Sequence, residues 1–178
     1  MNTEENKLSK KREKSILELL DDAAASIDGS QEKTQSAHEE IELQLFSRLQ
    51  RIGLNAIDRQ HETLVRHLCN LYKVMVGIRL NGPTLKEDAL LKITLDGLTE
   101  YTVKHFQEEE NYMVYIGYPE SDNHAKIHKE FLAKFLEIRN KIQESNSHLV
   151  NDLFFLVYKW LFDHINREDA KIATFYKP

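Results

Sequence analysis

Apolar residues recur at three- and four-residue intervals through most of this chain, as they do on amphipathic helices. Segments with glycine, proline, serine and asparagine separate four such stretches, which predict helices over residues 58–80, 84–115, 121–144 and 149–165. The second stretch opens with Thr84-x-x-Glu87, a capping box in which a hydroxyl and a carboxylate satisfy free N–H groups at a helix start. The fourth is so apolar that it must be largely buried.

The apolar residues of these helices form stripes that predict one shared core. The first stripe consists of Leu64, Leu68, Leu71, Val74 and Ile78, and the third of Ile127, Phe131, Phe135 and Ile138. Four helices with short connections pack naturally as an antiparallel bundle. Counts of only 6 glycines and 3 prolines leave few turn residues for an all-β fold. We therefore predict an all-α fold, an antiparallel up-down four-helix bundle over residues 46–178.

Residues 1–45 differ from the rest and are predicted to form an N-terminal extension, either partly disordered or an amphipathic helix. A basic cluster lies between Lys7 and Lys14, and apolar residues follow at helical spacing from Ile16 to Ile27. Such a segment is either a solvated tail or a helix that docks on a protein partner, a membrane surface or the bundle itself.

Composition narrows the class of protein. The net charge of −5 argues against a nucleic-acid partner, which usually requires a basic face. No apolar run approaches the roughly 20 residues that a transmembrane helix needs. The single cysteine, Cys69, excludes an internal disulfide framework and is compatible with a reducing compartment. We therefore expect a cytoplasmic protein.

Histidines and carboxylates are spaced so that pairs of them share a helix face. Residues four apart on an α-helix are rotated by only about 40°. His105 and Glu109 therefore project together, and so do His124 and His128. Either pair taken alone is common on helix surfaces that bind no metal, so the joint pattern carries the prediction.

With His61, His164 and Asp169 included, every predicted helix contributes at least one candidate ligand. In an antiparallel bundle, the starts of the first and third helices meet the ends of the second and fourth, so the candidates cluster at one end. Buried imidazoles and carboxylates are costly there unless they pair or bind metal. His164 and Asp169 are five apart and can join the cluster only if the helix ends or distorts between them. The polar run 166–168 favours an ending.

The ligand set is large enough for two metal ions. Imidazole with carboxylate suits iron, zinc, copper or manganese, and the set contains no thiolate for a softer metal. Because a carboxylate can bridge two ions, Glu109 and Asp169 are the natural bridges, with histidines in the outer positions. Histidines that bind metal usually donate their second N–H to an acceptor, and Asp58, Gln60 and Glu108 are candidates.

Four stretches of the chain resemble signature motifs of the hemerythrin family, in its bacterial single-domain and sensor-linked members. They are Ile57-Asp58-Arg59-Gln60-His61, His105-Phe106-x-x-Glu109, Gly117-Tyr118-Pro119 and Trp160-Leu161-x-x-His164-Ile165-x-x-x-Asp169. The resemblance covers about residues 46–175 and fills all seven expected ligand positions.

The resemblance implies reversible O2 binding, for oxygen sensing, delivery or storage, at a non-heme di-iron centre. It assigns His124, His128 and His164 to one iron, and His61 and His105 to the other. Glu109 and Asp169 would bridge the two irons, together with an oxo or hydroxo group from solvent. A dry apolar pocket would keep water and protons from the bound O2. Four residues that flank the ligands are candidates for its lining: Phe106, Trp160, Leu161 and Ile165.

Two other functions stay open from the sequence. A di-iron oxidase, or an enzyme that removes peroxide or nitric oxide, would use the same metal. Ferritin-like di-iron enzymes carry Glu-x-x-His pairs and several carboxylates, and no histidine here has a glutamate three residues before it. A signalling module that responds to O2 or redox state would use the metal site as its input and residues 1–45 as its output.

Overall fold

The computed structural model describes residues 31–82, 84–142 and 147–176, and all regular secondary structure within them is helical. The elements in chain order are α1 (Gln31–Arg48), α2 (Asn55–Asn81), α3 (Leu85–Ile116), α4 (Ser121–Lys141), α5 (Ser147–His164), a π-helical turn (Ile165–Asp169) and α6 (Ala170–Tyr176). The predicted all-α class is confirmed. The apolar stripe expected between Ile16 and Ile27 lies outside the described residues.

Helices α2 to α5 form the bundle. Helix α2 packs against α3 and α5, and α4 packs against the same two helices, so the four axes lie at the corners of a square. The connections at 82–84 and 117–120 are too short to cross the bundle, so they join antiparallel neighbours. The predicted up-down four-helix bundle is therefore the observed architecture.

The chain divides into two compact units between Leu45 and Phe46. In the first unit, the described residues belong to α1, which continues past the division to Arg48. The second unit contains α2 to α6 and all the candidate ligands. None of the described helices is both long enough and apolar enough to cross a membrane.

The predicted apolar stripes form most of the bundle core. All five stripe residues of α2 are buried. In α4, Phe131 and Phe135 are buried, whereas Ile127 and Ile138 are half-buried because they line a groove between α4 and α5. Helix α4 ends at Lys141, and the remainder of its predicted range, as far as Glu144, lies mostly outside the described residues.

The capping box opens α3 as predicted, with one difference. The Thr84 hydroxyl accepts a hydrogen bond from the Glu87 N–H at 3.3 Å. The Glu87 carboxylate accepts from side chains and not from the Thr84 N–H: from the Asn81 amide at 2.9 Å and from the Thr84 hydroxyl. Glu87 therefore also ties the start of α3 to the end of α2.

The end of α3 is set by glycine. Gly117 adopts a left-handed conformation with φ of +69°, which residues with a Cβ adopt at a cost. Its N–H donates to the Val114 carbonyl at 3.1 Å, and the Tyr118 N–H donates to the Met113 carbonyl at 2.9 Å. This turn fixes where α4 starts and hence where its histidines lie relative to α3.

Replacing Thr84 with alanine should remove the N-cap of α3. We expect the free energy of unfolding to fall by about 1 kcal/mol, the usual effect of losing such a cap. Urea denaturation followed by circular dichroism measures this change. Thr174→Ala is the control, because the Thr174 hydroxyl is exposed and bonds only within its helix, to the Ala170 carbonyl. Equal destabilisation in both variants would contradict the capping role.

Candidate metal centre

All seven predicted ligand residues come together inside one end of the bundle, and each is at most 3% exposed. Helix α2 contributes His61, α3 contributes His105 and Glu109, α4 contributes His124 and His128, α5 contributes His164, and the π-helical turn contributes Asp169. Their donor atoms form two groups that could each hold a metal ion. Glu109 and Asp169 belong to both groups.

A π-helical turn brings His164 and Asp169 together. On a regular α-helix, residues five apart point about 140° away from each other. The π-helical turn from Ile165 to Asp169 pairs residues five apart, and it therefore stacks Asp169 on the same side as His164. Asp169 Oδ1 then lies 3.0 Å from His164 Nε2. The sequence correctly required a distortion here, but the helix continues through Ala170 and does not end.

Three imidazoles converge in the first group, which we call the three-histidine group: His124, His128 and His164 with Glu109 and Asp169. His128 Nε2 lies 3.1 Å from His124 Nε2 and 2.9 Å from His164 Nε2. Glu109 Oε2 is 3.3 Å from both His124 Nε2 and His128 Nε2. Asp169 Oδ1 is 3.3 Å from His124 Nε2. The nitrogen and oxygen atoms therefore surround one small volume.

The second group, the two-histidine group, consists of His61, His105, Glu109 and Asp169. The rings of His61 and His105 meet edge to face, with centroids 5.1 Å apart. Asp169 Oδ2 lies 3.1 Å from His61 Nε2, while Oδ1 of the same carboxylate faces the three-histidine group. Asp169 thus offers one oxygen to each group, which is the arrangement expected of a bridge.

Both carboxylates of the centre are held in their charged form. Burial raises the pKa of Glu109, and so does the charge of Asp169, but the neighbouring imidazoles, His124 foremost, outweigh them and lower it to about 2. Burial likewise opposes ionisation of Asp169, yet His164 and His124 hold its pKa well below the ordinary value. At neutral pH the centre therefore contains two carboxylate anions.

The imidazoles divide into neutral and charged members. Burial lowers the pKa of His105 to about 4 and also lowers that of His164, so both rings are neutral and carry a lone pair for a metal. His124 differs because the adjacent Asp169 and Glu109 outweigh its burial and raise its pKa to about 9. The metal-free centre thus has a proton on His124 where a metal ion would otherwise balance the carboxylate charge.

Unsatisfied polar atoms show that the centre fits metal ions. Among the described residues, these buried atoms lack a hydrogen-bond partner: His61 Nδ1 and Nε2, His164 Nδ1, and both oxygens of Glu109 and of Asp169. Burying charged oxygens without donors is costly unless a cation compensates. Ligands that bind at about 2.1 Å with bonds at right angles lie about 3.0 Å apart. The separations across the three-histidine group, 2.9–3.3 Å, agree with this value.

His105 and His128 each have a partner on the side away from the centre. His105 Nδ1 lies 2.9 Å from Gln60 Oε1, which confirms Gln60 as an acceptor, and the Gln60 amide donates in turn to Glu108. Glu108 therefore acts one step further out than predicted. Asp58 does not serve a histidine in this way: its oxygens accept from the Ile52 and Gly53 N–H groups at 2.9 and 3.1 Å.

The sequence reasoning missed Glu110, whose Oε1 lies 3.0 Å from His128 Nδ1. Glu109 and Glu110 are adjacent, so on a helix their side chains point about 100° apart. Only the four-residue spacing from His105 marked Glu109, and no comparable spacing marks Glu110. Its role depends on the position of His128 on α4, and residue spacing within α3 gives no information about that position.

Aromatic rings cover the three-histidine group. Phe106 lies parallel to His128 with centroids 3.8 Å apart, and Trp160 stacks on His164 at 4.2 Å and on Phe131 at 3.9 Å. Leu161 and Ile165 are buried, at 3% and 1% exposure. Of the four predicted lining residues, Phe106 and Trp160 therefore stack on ligands of the three-histidine group. Their assignment to an O2 pocket stays a prediction.

Changing the length of the π-helical turn tests its role. The turn contains one residue more than a turn of α-helix. Deleting the exposed Arg167 should therefore leave a regular α-helix, in which His164 and Asp169 are four residues apart and lie on one face. Inserting alanine after Arg167 should instead rotate Asp169 by about 100°. We expect the deletion variant to bind as much metal per chain as the unmodified protein and the insertion variant to lose at least one ion. Elemental analysis after metal loading measures the metal content of each variant. Equal loss of metal from the deletion and insertion variants would contradict this role of the turn.

Comparisons with known proteins agree with this geometry. The family model described as Hemerythrin HHE cation binding domain matches residues 52–176. A protein named bacteriohemerythrin from Pseudomonas aeruginosa is 33% identical over 118 residues, 66% of this chain and 71% of the relative. Proteins of the same name from Stenotrophomonas maltophilia and Campylobacter jejuni are 29% identical over 122 residues and 32% identical over 121 residues. These alignments cover 68% of this chain, and 74% and 86% of the respective relatives. The chain belongs to the hemerythrin family.

Proposed function

We propose that the protein binds O2 reversibly at a non-heme di-iron centre, in a sensing, delivery or storage role. The observation that carries this proposal is the pair of buried donor groups that share Glu109 and Asp169. Five imidazoles and two carboxylates are an unusual balance for two metal ions. Membership of the hemerythrin family, with relatives named bacteriohemerythrin, supports the choice of iron and O2.

In this proposal His124, His128 and His164 hold one iron, and His61 and His105 hold the other. Glu109 and Asp169 belong to both donor groups and would therefore serve both irons. When bound, the iron pair supplies the electrons for reversible O2 binding. The two-histidine group offers one imidazole fewer, and we expect O2 to bind on that side.

The charge of the donor set favours binding over oxidation chemistry. Imidazoles are neutral donors, and Glu109 and Asp169 are the carboxylates in the two groups. A set with little negative charge gives weak support to iron in high oxidation states. Ferritin-like di-iron enzymes, by contrast, combine Glu-x-x-His pairs with several carboxylates.

Burial supports reversibility as well. Every donor residue is at most 3% exposed, and the rings of Phe106 and Trp160 lie flat against ligand imidazoles. Such surroundings exclude water and keep protons from the reacting atoms. The stacked rings also limit rotation of His128 and His164, so the donors keep their positions when no ligand is bound.

The proposal predicts that the reduced, iron-loaded protein contains two irons per chain. It should develop a visible absorption band on aeration, and the band should disappear when O2 is removed. His105→Ala and Glu109→Ala should lose iron or the band while the protein stays helical by circular dichroism. His67→Ala is the matched control, since the His67 ring contacts Tyr101 and is not among the two donor groups.

Two results would contradict the proposal. One is full retention of both the two irons and the absorption band in His105→Ala and in Glu109→Ala. The other is rapid catalytic consumption of O2, peroxide or nitric oxide in stopped-flow measurements, without a stable O2-bound spectrum. That second result would support a di-iron enzyme instead.

A further inference from the structure

We propose that Glu110 is a positioning residue that strengthens metal binding at the three-histidine group, by holding His128 as a stronger donor than His105. The inference rests on the proposed two-metal centre and goes beyond it, because it assigns a role to a residue outside both donor groups. Three observations carry it: the contact of Glu110 with His128, the different contact at His105, and the position of each histidine in its own group.

The contact with Glu110 fixes the His128 tautomer. Glu110 Oε1 is 3.0 Å from His128 Nδ1, within hydrogen-bond distance. An ionised carboxylate can only accept, so the imidazole must carry its proton on Nδ1. Nε2 is then left with its lone pair, and Nε2 is the atom that lies 2.9 Å from His164 Nε2 and 3.3 Å from Glu109 Oε2. Glu110 thus aims the free lone pair of His128 at the three-histidine group.

Ring stacking makes this orientation rigid. Phe106 covers the face of His128, with planes 3° apart. The stacked ring resists tilting, while the hydrogen bond to Glu110 resists rotation of the imidazole within its plane. The His128 side chain is 2% exposed and that of Glu110 is 33% exposed, so the hydrogen bond is partly shielded from water. Such a charge-assisted hydrogen bond is stronger than a neutral one.

The two-histidine group has a weaker arrangement. His105 Nδ1 faces Gln60 Oε1 at 2.9 Å, which is the oxygen of a neutral amide. A carboxylate appears only one step further out, at Glu108, whose side chain is 45% exposed and also lies 3.8 Å from Lys104 Nζ. The negative charge that reaches His105 through Gln60 is therefore more distant and better screened than the charge on Glu110.

This contrast predicts a difference in affinity. A carboxylate that accepts from the outer nitrogen of an imidazole raises the basicity of the inner one, and losing such a partner typically weakens metal binding 10- to 100-fold. The three-histidine group has both the additional imidazole and the carboxylate-supported one. It should therefore bind the first metal ion and release it last.

Cobalt(II) titration of the metal-free 178-residue chain tests the inference without relying on O2 binding. Bound cobalt is followed by its visible absorption, against a competing chelator. We expect two ions per chain in two resolved steps. Glu110→Gln, which keeps an acceptor but removes the charge, should weaken the tighter step about tenfold, and Glu110→Ala about a hundredfold. The weaker step should change less than about threefold.

Two further variants sharpen the experiment. Gln60→Ala should weaken the looser step and leave the tighter one, because Gln60 contacts His105 of the other group. Glu130→Gln is the matched control, since Glu130 is exposed on α4 and pairs only with Lys126 among the contacts described. The absorption of the tightly bound cobalt should change in Glu110→Ala but not in Glu130→Gln. Circular dichroism confirms that each variant is folded.

The outcomes separate this inference from the proposed function. If the unmodified protein binds two ions and Glu110→Ala titrates like Glu130→Gln, or loses affinity equally in both steps, the role of Glu110 is wrong while the two-metal centre stands. Uptake of fewer than two ions by the unmodified protein would contradict the two-metal centre, and the inference together with it.

Discussion

The rest of the site depends on one electrostatic constraint, the burial of two carboxylates among five imidazoles with almost no other polar partners. Glu109 and Asp169 are fully buried, and among the described residues the side chains that face their oxygens are the imidazoles of the centre. Both are nevertheless charged, because the histidines around them lower their pKa. The imidazoles are neutral donors apart from His124, so a bound cation would balance the remaining carboxylate charge.

The helices of the bundle bring these donors together because residue spacing along a helix decides which side chains share a face. Four-residue spacing places His105 with Glu109, and His124 with His128, on single helix faces. Four-residue spacing does not bring Asp169 to this face, because Asp169 lies five residues after His164. The π-helical turn pairs residues five apart and therefore puts Asp169 on the same side as His164. This turn gives up regular hydrogen bonding at one position. In return, it places one carboxylate between the two donor groups.

The parts of the structure that were predictable are those governed by local spacing. The α2 stripe, the Thr84 cap and the two pairs four residues apart each depend on residues within one helix, so the sequence was sufficient. The continuation of the helix beyond His164 was not predictable, because the polar run 166–168 is equally typical of a helix end. Glu110 was missed for a different reason: its partner lies on another helix, and its importance comes from the packing of α3 against α4.

The position of the centre in the bundle separates metal binding from folding. The capping box that joins α2 and α3 begins at Thr84, 25 residues before Glu109, and a helix of that length spans roughly 38 Å. The α2 stripe between the two ends is apolar and buried, so its packing does not require the charge balance of the centre. Removing one ligand should therefore disturb the donor set, while the far half of the bundle remains packed. Loss of metal and loss of helical structure can then be measured as separate events in this chain.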